Sequence, residues 1–324
     1  MQTQITHWYI IVNPAAGKGK AARLWPQIAQ LLTQEGIAFE VAFTQQHRHA
    51  TELAMQAIAQ GHRHLIGVGG DGTNNEVING IFQQQSVPST DILYALLPIG
   101  TGNDWIKTHG IPKKLHAWLA MLKTGQIDYQ DIGWVEYQQE AGRRKHFFAN
   151  VAGMAYDAFV VHHVERAKSS LPSKFIYLWV VLRCLWLYQL CRARLIFNDQ
   201  SVEDHFYTIN VGICKYSGGG MQFVPHASPK DGHLALTYVG PLSKWEVIKN
   251  TYRFYNGSLG AHPKVRTLQV QSLEVQSLAN QTPTLLEVDG EYLGHTPVTF
   301  GILAGALRFI CPCKAEDRKV TIVT

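Results

Sequence analysis

Charge is scarce in this chain: Asp, Glu, Lys and Arg make up 16% of 324 residues, and the formal net charge is only +5. That balance excludes a dedicated nucleic-acid binder and suits an anionic membrane surface or phosphorylated substrates. Cysteine is sparse too. Cys184, Cys191, Cys214, Cys311 and Cys313 contain no C-x-x-C pair and are odd in number, so no disulfide framework is expected and reduced cytosol is the default setting. The stretch Met1 to His7 has neither the basic start nor the apolar core of a secretory signal. A clean membrane span is also lacking. The most apolar run, Phe175 to Cys191, falls short of the ~20 residues needed to cross and carries Arg183 near its middle. It reads as a buried helix. The alternative is a helix open to lipid, with Lys168, Lys174, Arg192 and Arg194 near headgroups. The 15 histidines adopt no metal-ligand spacing, and His47/His49, His62/His64 and His162/His163 read as surface or loop residues.

What the chain does have is glycine at strand ends. His64 to Phe82 reads as strand, tight loop and helix: Leu65 to Val68 is apolar, and Val77, Ile78, Ile81 and Phe82 line one helical face. Between them lies Gly69-Gly70-Asp71-Gly72. Its glycines permit close backbone approach, and the first amides of the following helix offer free N–H groups, so the loop is a phosphate site. Asp71 would repel phosphate unless a divalent cation bridged the two, which calls for a metal–nucleotide complex. Gly67 to Gly72 also fits G-x-G-x-x-G, but that dinucleotide fingerprint does not call for an acid inside the turn. A purely structural glycine turn is the other alternative.

Similar punctuation recurs along the first third of the chain. Trp8 to Val12 is a strand running into Asn13-Pro14-Ala15-Ala16-Gly17-Lys18-Gly19-Lys20, which is not a Walker A loop, and then a helix to about Leu32. Ile37 to Phe43 leads into Thr44 and a helix from about Ala50 to Gln60, and Ile92 to Leu97 ends in Gly100-Thr101-Gly102-Asn103-Asp104. Alternating β/α segments of this kind predict a parallel sheet with its ligand loops along one edge. After a helix over Lys114 to Lys123, short alternating segments take over, from Ile132 to Tyr137 through Leu307 to Ile310. The expected division is 1–128, a nucleotide-binding α/β domain, and 129–324, a mainly antiparallel β domain whose C-terminal tail is free to pack back on the first.

Taken together, the residues resemble the bacterial diacylglycerol kinase (YegS-like) family, related to sphingosine and ceramide kinases. Asn13-Pro14-x-x-Gly17, Gly69-Gly70-Asp71-Gly72-Thr73 with Glu76, Gly100 to Asp104, and Val288-Asp289-Gly290-Glu291 carry the resemblance. It implies a diacylglycerol kinase/NAD kinase-like α/β domain plus a β-sandwich lipid domain, with the active site in the cleft between them. It also implies that Asn13, Pro14, Ala15, Ala16, Gly17, Thr44, Gly69, Gly70, Asp71, Gly72, Thr73, Asn74, Asn75 and Thr101 surround ATP, with Asp71 facing the phosphates through Mg²⁺. Asp289, supported by Glu291, becomes the base for the acceptor hydroxyl. A second, structural Mg²⁺ is implied at Asp231 with carbonyls of Ser228 and His233, although Ser228 stands where some members place an acid. Ala155 departs from a frequent glycine. The implied activity is ATP- and Mg-dependent phosphorylation of a lipid hydroxyl, with diacylglycerol the leading acceptor. A long-chain base, ceramide or NAD are alternatives, as is a non-catalytic lipid-binding role. The protein is expected in the cytoplasm, peripheral at the inner membrane face, with lipid and ATP as partners, no nucleic acid, and a homodimer left open.

Overall fold

The computed structural model describes residues 7–167, 180, 183–278 and 281–313. Of the apolar run 175–191, residue 180 and residues 183–191 are described, and the rest lies outside the described residues. Residues 183–187 are helical, with Cys184 and Leu185 buried but Trp186 and Leu187 exposed. Residues 188–190 are not helical and Cys191 opens a strand, so the expected buried helix ends before the run does. Among the described residues no helix is long and apolar enough to cross a membrane.

The chain divides into two compact units, 1–130 with 305–324, and 131–304. In the first, β1 (His7–Val12), α1 (Ala16–Gln34), β2 (Ala38–Phe43), α2 (His49–Ala59), β3 (His64–Gly69), α3 (Asp71–Gln83) and β4 (Leu93–Pro98) alternate, followed by α4 (Trp105–His109) and α5 (Leu115–Thr124). The strands are parallel in the order β2-β1-β3-β4. All six residues of β4 are buried, as is most of β3, because helices cover both faces of a parallel sheet. Ile28 and Leu32 of α1, Leu53 and Ile58 of α2, Val77 and Ile81 of α3 and Trp118 of α5 supply the covering apolar faces. Trp118 also donates its indole N–H to the Leu96 carbonyl at 2.7 Å. Because β2 and β3 flank β1 on opposite sides, the strand order reverses there. The crevice at the carboxyl ends of β1 and β3 is where such sheets take ligands.

The second unit is antiparallel. It contains β5 (Gln126–Gln139) from residue 131 on, β6 (Gly142–Phe148), β7 (Val151–Ala155), α6 (Tyr156–Ala167), β8 (Cys191–Phe197), β9 (Gln200–Phe206), β10 (Thr208–Gly212), β11 (Leu234–Val239), α7 (Lys244–Asn250), α8 (Arg253–Asn256), β12 (Val265–Val270), β13 (Ser272–Ser277), β14 (Leu285–Val288) and the long β15 (Glu291–Cys311) as far as residue 304. One layer runs β12-β11-β10-β7-β14, joined by the start of β15. In the other, Val298 to Gly301 of β15 pair with β13, which pairs with β8 and then β9. This is the antiparallel β domain that the alternating pattern predicts, in the β-sandwich form that the resemblance implies. The end of β15 belongs to the first unit, where Arg308 and Phe309 pair in parallel with Leu93 and Tyr94 of β4.

Candidate active site

In the first unit four loops meet at the strand ends. The Asn13 amide donates to Val68 O at 3.0 Å, the Thr44 amide to Val12 O at 2.9 Å, and the Ile99 amide to Gly69 O at 2.7 Å. The loops after β1, β2, β3 and β4 are thereby laced to one another through backbone alone. Asn13 ties two of them by side chain as well: its Nδ2 donates to Thr73 Oγ1 at 3.1 Å, while its Oδ1 accepts the Ala15 amide. Gly17, Lys18 and Gly19 all have positive φ, so the phosphate-loop candidate is a left-handed turn before the regular part of α1. A Cβ on Gly17 would lie 2.3 Å from Ile99 O, so no other residue fits there without moving the loop. Gly70 and Gly100 face each other the same way: a Cβ on Gly100 would sit 2.4 Å from Gly70 Cα.

Asp71 opens α3 and is half-buried. Its Oδ1 accepts the Asp104 amide at 2.7 Å and, more distantly, the Trp105 amide, so the carboxylate caps α4. Burial and the neighbouring Asp104 carboxylate push its pKa up, against amide donors that pull it down. Asp104 in turn holds Lys107. Two acids at the mouth of a glycine loop, one of them raised by the other, form a donor set that a hard divalent cation would relieve.

The remaining sequence-predicted residues divide by exposure. Thr101 and Ala15 are exposed and Pro14, Ala16, Gly70 and Gly72 half-buried, whereas Thr44, Gly69, Thr73, Asn74 and Asn75 are buried. Asn74 accepts from Tyr94 Oη, and Asn75 accepts from Asn79 one turn along α3. These two asparagines are thus engaged inside the fold. Glu76 caps α2, accepting the Arg48 and Ala50 amides on its two oxygens at 2.9 and 3.0 Å. That role is invisible in sequence, because it joins residues 28 and 26 positions apart.

In the second unit Asp289 and Gly290, both at positive φ, form the two-residue turn between β14 and β15. Asp-Gly is the favoured pair for such a hairpin. The turn is pinned to β7: the Asp289 amide donates to Val151 O at 3.0 Å, and Asp289 Oδ1 accepts the Val151 amide at 3.1 Å. Beneath it are two acids that sequence reading missed. Glu287 is buried, accepts the Gly290 amide at 2.8 Å, and is pushed well above the carboxylate range by burial. Asp157 accepts from Thr208 and Asn210, and burial raises it to about 6. The signal available for Glu287 was its place two residues before Asp289; Asp157 ends the stretch Asn150 to Asp157, a weaker family-like segment from which no role followed. Glu291 opens β15 directly after the turn. Ala155, with φ of 69°, occupies the left-handed conformation that a glycine would take more cheaply.

The Ser228–His233 turn is held by a hydrogen bond of its own and by two to residues outside it. Asp231 Oδ1 accepts the His233 amide, Oδ2 accepts Gln269 Nε2, and the Gly232 amide is taken by Asp131. Each Asp231 carboxylate oxygen thus accepts one N–H donor.

Two family models match the chain: the diacylglycerol kinase catalytic domain over residues 7–135, and the YegS C-terminal NAD kinase beta sandwich-like domain over 150–311. The chain is 28% identical to a diacylglycerol kinase of Staphylococcus saprophyticus, covering 96% of this chain and 97% of that one. It is 26% identical to one of Staphylococcus haemolyticus, covering 96% and 90%. A crystal structure of a diacylglycerol kinase from Bacillus anthracis superposes with a TM-score of 0.70 at 20% identity, covering 96% of this chain and 98% of that one.

Proposed function

This chain belongs to the bacterial diacylglycerol kinase family and is a lipid kinase, and on that footing we propose that it transfers the γ-phosphoryl group of ATP, with Mg²⁺, to the free hydroxyl of diacylglycerol, giving phosphatidic acid. The observation that carries the nucleotide half is the convergence of four backbone-laced loops at the strand-order reversal, with Gly17, Gly70 and Gly100 keeping them free of side chains. The first amides of α3 would donate to phosphate oxygens, helped by the positive end of the helix. Asn13, through Thr73, holds the first loop against that helix. Asp71, with Asp104 beside it, would hold Mg²⁺, which supplies charge neutralisation on the transferring phosphoryl group.

For the acceptor half, Asp289 is the general base and Glu291 its support. Its backbone and one carboxylate oxygen are fixed to Val151, so the turn presents the acid in a set direction at little entropic cost. Lipid acceptors place the protein at the inner membrane surface while it works. The test uses purified protein with γ-labelled ATP and, separately, diacylglycerol, ceramide, a long-chain base and NAD, resolved by thin-layer chromatography. Labelled phosphatidic acid is the expected product. Label in another lipid replaces the acceptor, and labelled NADP with no labelled lipid overturns the reading.

A further inference from the structure

Six of the large apolar residues exposed among those described fall in the second unit on two neighbouring segments: Trp186 and Leu187, then Trp245, Ile248, Tyr252 and Tyr255. Trp245 is 67% and Tyr255 60% exposed. The spacing of the second group, i, i+3, i+7 and i+10, is that of one helical face running along α7 and α8. The opposite face is already in use. Val247 and Phe254 pack onto a cluster of Leu185, Tyr207, Val239, Leu259 and Val265. A helix pair that is apolar on both sides ordinarily has both sides covered. The two segments also meet: Trp186 and Trp245 lie edge to face at 6.4 Å, and Lys244 donates to the Trp186 carbonyl at 2.6 Å.

We infer that this face is a docking surface for an anionic lipid bilayer; the choice of occupant rests on the lipid-kinase reading above. The chemistry favours lipid over a second copy of the chain. The exposed set is dominated by Trp and Tyr, whose rings bridge headgroup and acyl layers, and the exposed Lys244 and Lys249 stand among them, while Arg253 is held by Asn250 and Ser258. Lysine is depleted in protein–protein interfaces and favoured against acidic headgroups. The acid on α7 does not oppose this, because Glu246 is occupied by its own capping box with Ser243 and by Lys264. The capping box also fixes where α7 begins, so the face is preformed.

The experiment is sedimentation of the full chain with sucrose-loaded vesicles, either phosphatidylcholine alone or mixed about equally with phosphatidylglycerol, without ATP or diacylglycerol. Wild type is expected to partition to the mixed vesicles several-fold better than to the neutral ones. The double substitution Trp245→Ser/Tyr252→Ser is expected to lower that partitioning roughly tenfold or more, and Lys249→Glu to lower it at low salt with a smaller loss at high salt. Circular dichroism and the thermal midpoint establish that each variant is folded. Folded variants that bind as wild type does would overturn the inference. So would a wild type that binds neither vesicle but forms a dimer that the double substitution breaks. Since the measurement needs no phosphoryl transfer, patch-dependent binding by a protein that phosphorylates no lipid would uphold the docking face while refuting the proposed function.

Discussion

Replacing Asp157 by Asn should make the protein more stable at neutral pH than at acid pH, relative to wild type. Burial lifts the Asp157 carboxyl from the ordinary 3.8 to about 6, even though Thr208 and Asn210 donate to it. The folded state therefore holds this proton more tightly than the unfolded chain. Below pH 3.8 both states are protonated and nothing is lost. Between 3.8 and 6 the unfolded chain ionises first and the folded state loses ground; above 6 the loss is constant. A rise of about two pH units at ~1.36 kcal/mol each gives a penalty near ~3 kcal/mol at pH 7.5, and about 1 kcal/mol at pH 4.5. Asparagine cannot ionise, so Asp157→Asn should gain ~2 kcal/mol on wild type between those two conditions. Any packing cost of the substitution is common to both and cancels. Urea unfolding followed by circular dichroism at pH 4.5 and 7.5 measures it. A stability difference that is the same at both pH values, or that moves against the variant as pH rises, would refute the reasoning.

Four further outcomes are expected. Gly100→Ala puts a methyl 2.4 Å from Gly70 Cα, backbone against backbone, so it should cost about 1–3 kcal/mol and weaken nucleotide binding measured by calorimetry. Gly219→Ala, where the added carbon meets nothing but φ is 89°, should cost stability without touching nucleotide affinity. Asp289→Asn should leave ATP binding near wild type and cut turnover by roughly 10²-fold or more, and unchanged turnover would remove this residue from the mechanism. Glu76→Ala strips two amide acceptors from the start of α2 and should lower stability by about 1–2 kcal/mol in thermal or chemical unfolding.

The architecture was largely legible because its signals are local. Leu65 to Val68 and Leu93 to Leu97 are continuous apolar runs closed by glycines, and such runs become strands buried on both faces. The hairpin at Asp289-Gly290 likewise announces itself in two residues. What could not be read depends on distance along the chain. The periodic stretch Val265 to Val275 looks like one strand, but it breaks at Gln271, and its two halves, β12 and β13, pair with different partners. The strand β7 and helix α6, Val151 to Ala167, also escaped the pattern, because a fully buried strand has no alternation to show. At the site, glycines mark where loops approach, yet nothing in Asp71 or Glu76 shows that their carboxylates cap helices 33 and 26 residues away. Glu287 and Asp157 were missed for the same reason. A buried acid is recognised by what surrounds it, and its surroundings come from β7, β10 and β14.

Strand β15 imposes an order on synthesis. Strand β4 finds its outer neighbour only at Arg308 and Phe309, about 215 positions later, and Ser89 likewise waits for the Ala306 carbonyl. A nascent chain that has emerged as far as α5 thus carries a half-finished parallel sheet with a bare, wholly apolar edge at Leu93–Pro98. Such edges recruit stray strands, so until the ribosome delivers the closing segment this unit depends on a holdase or on speed. Shortening the chain before residue 305 should shift the product from soluble protein to aggregate, even though every phosphate-loop residue would still be present.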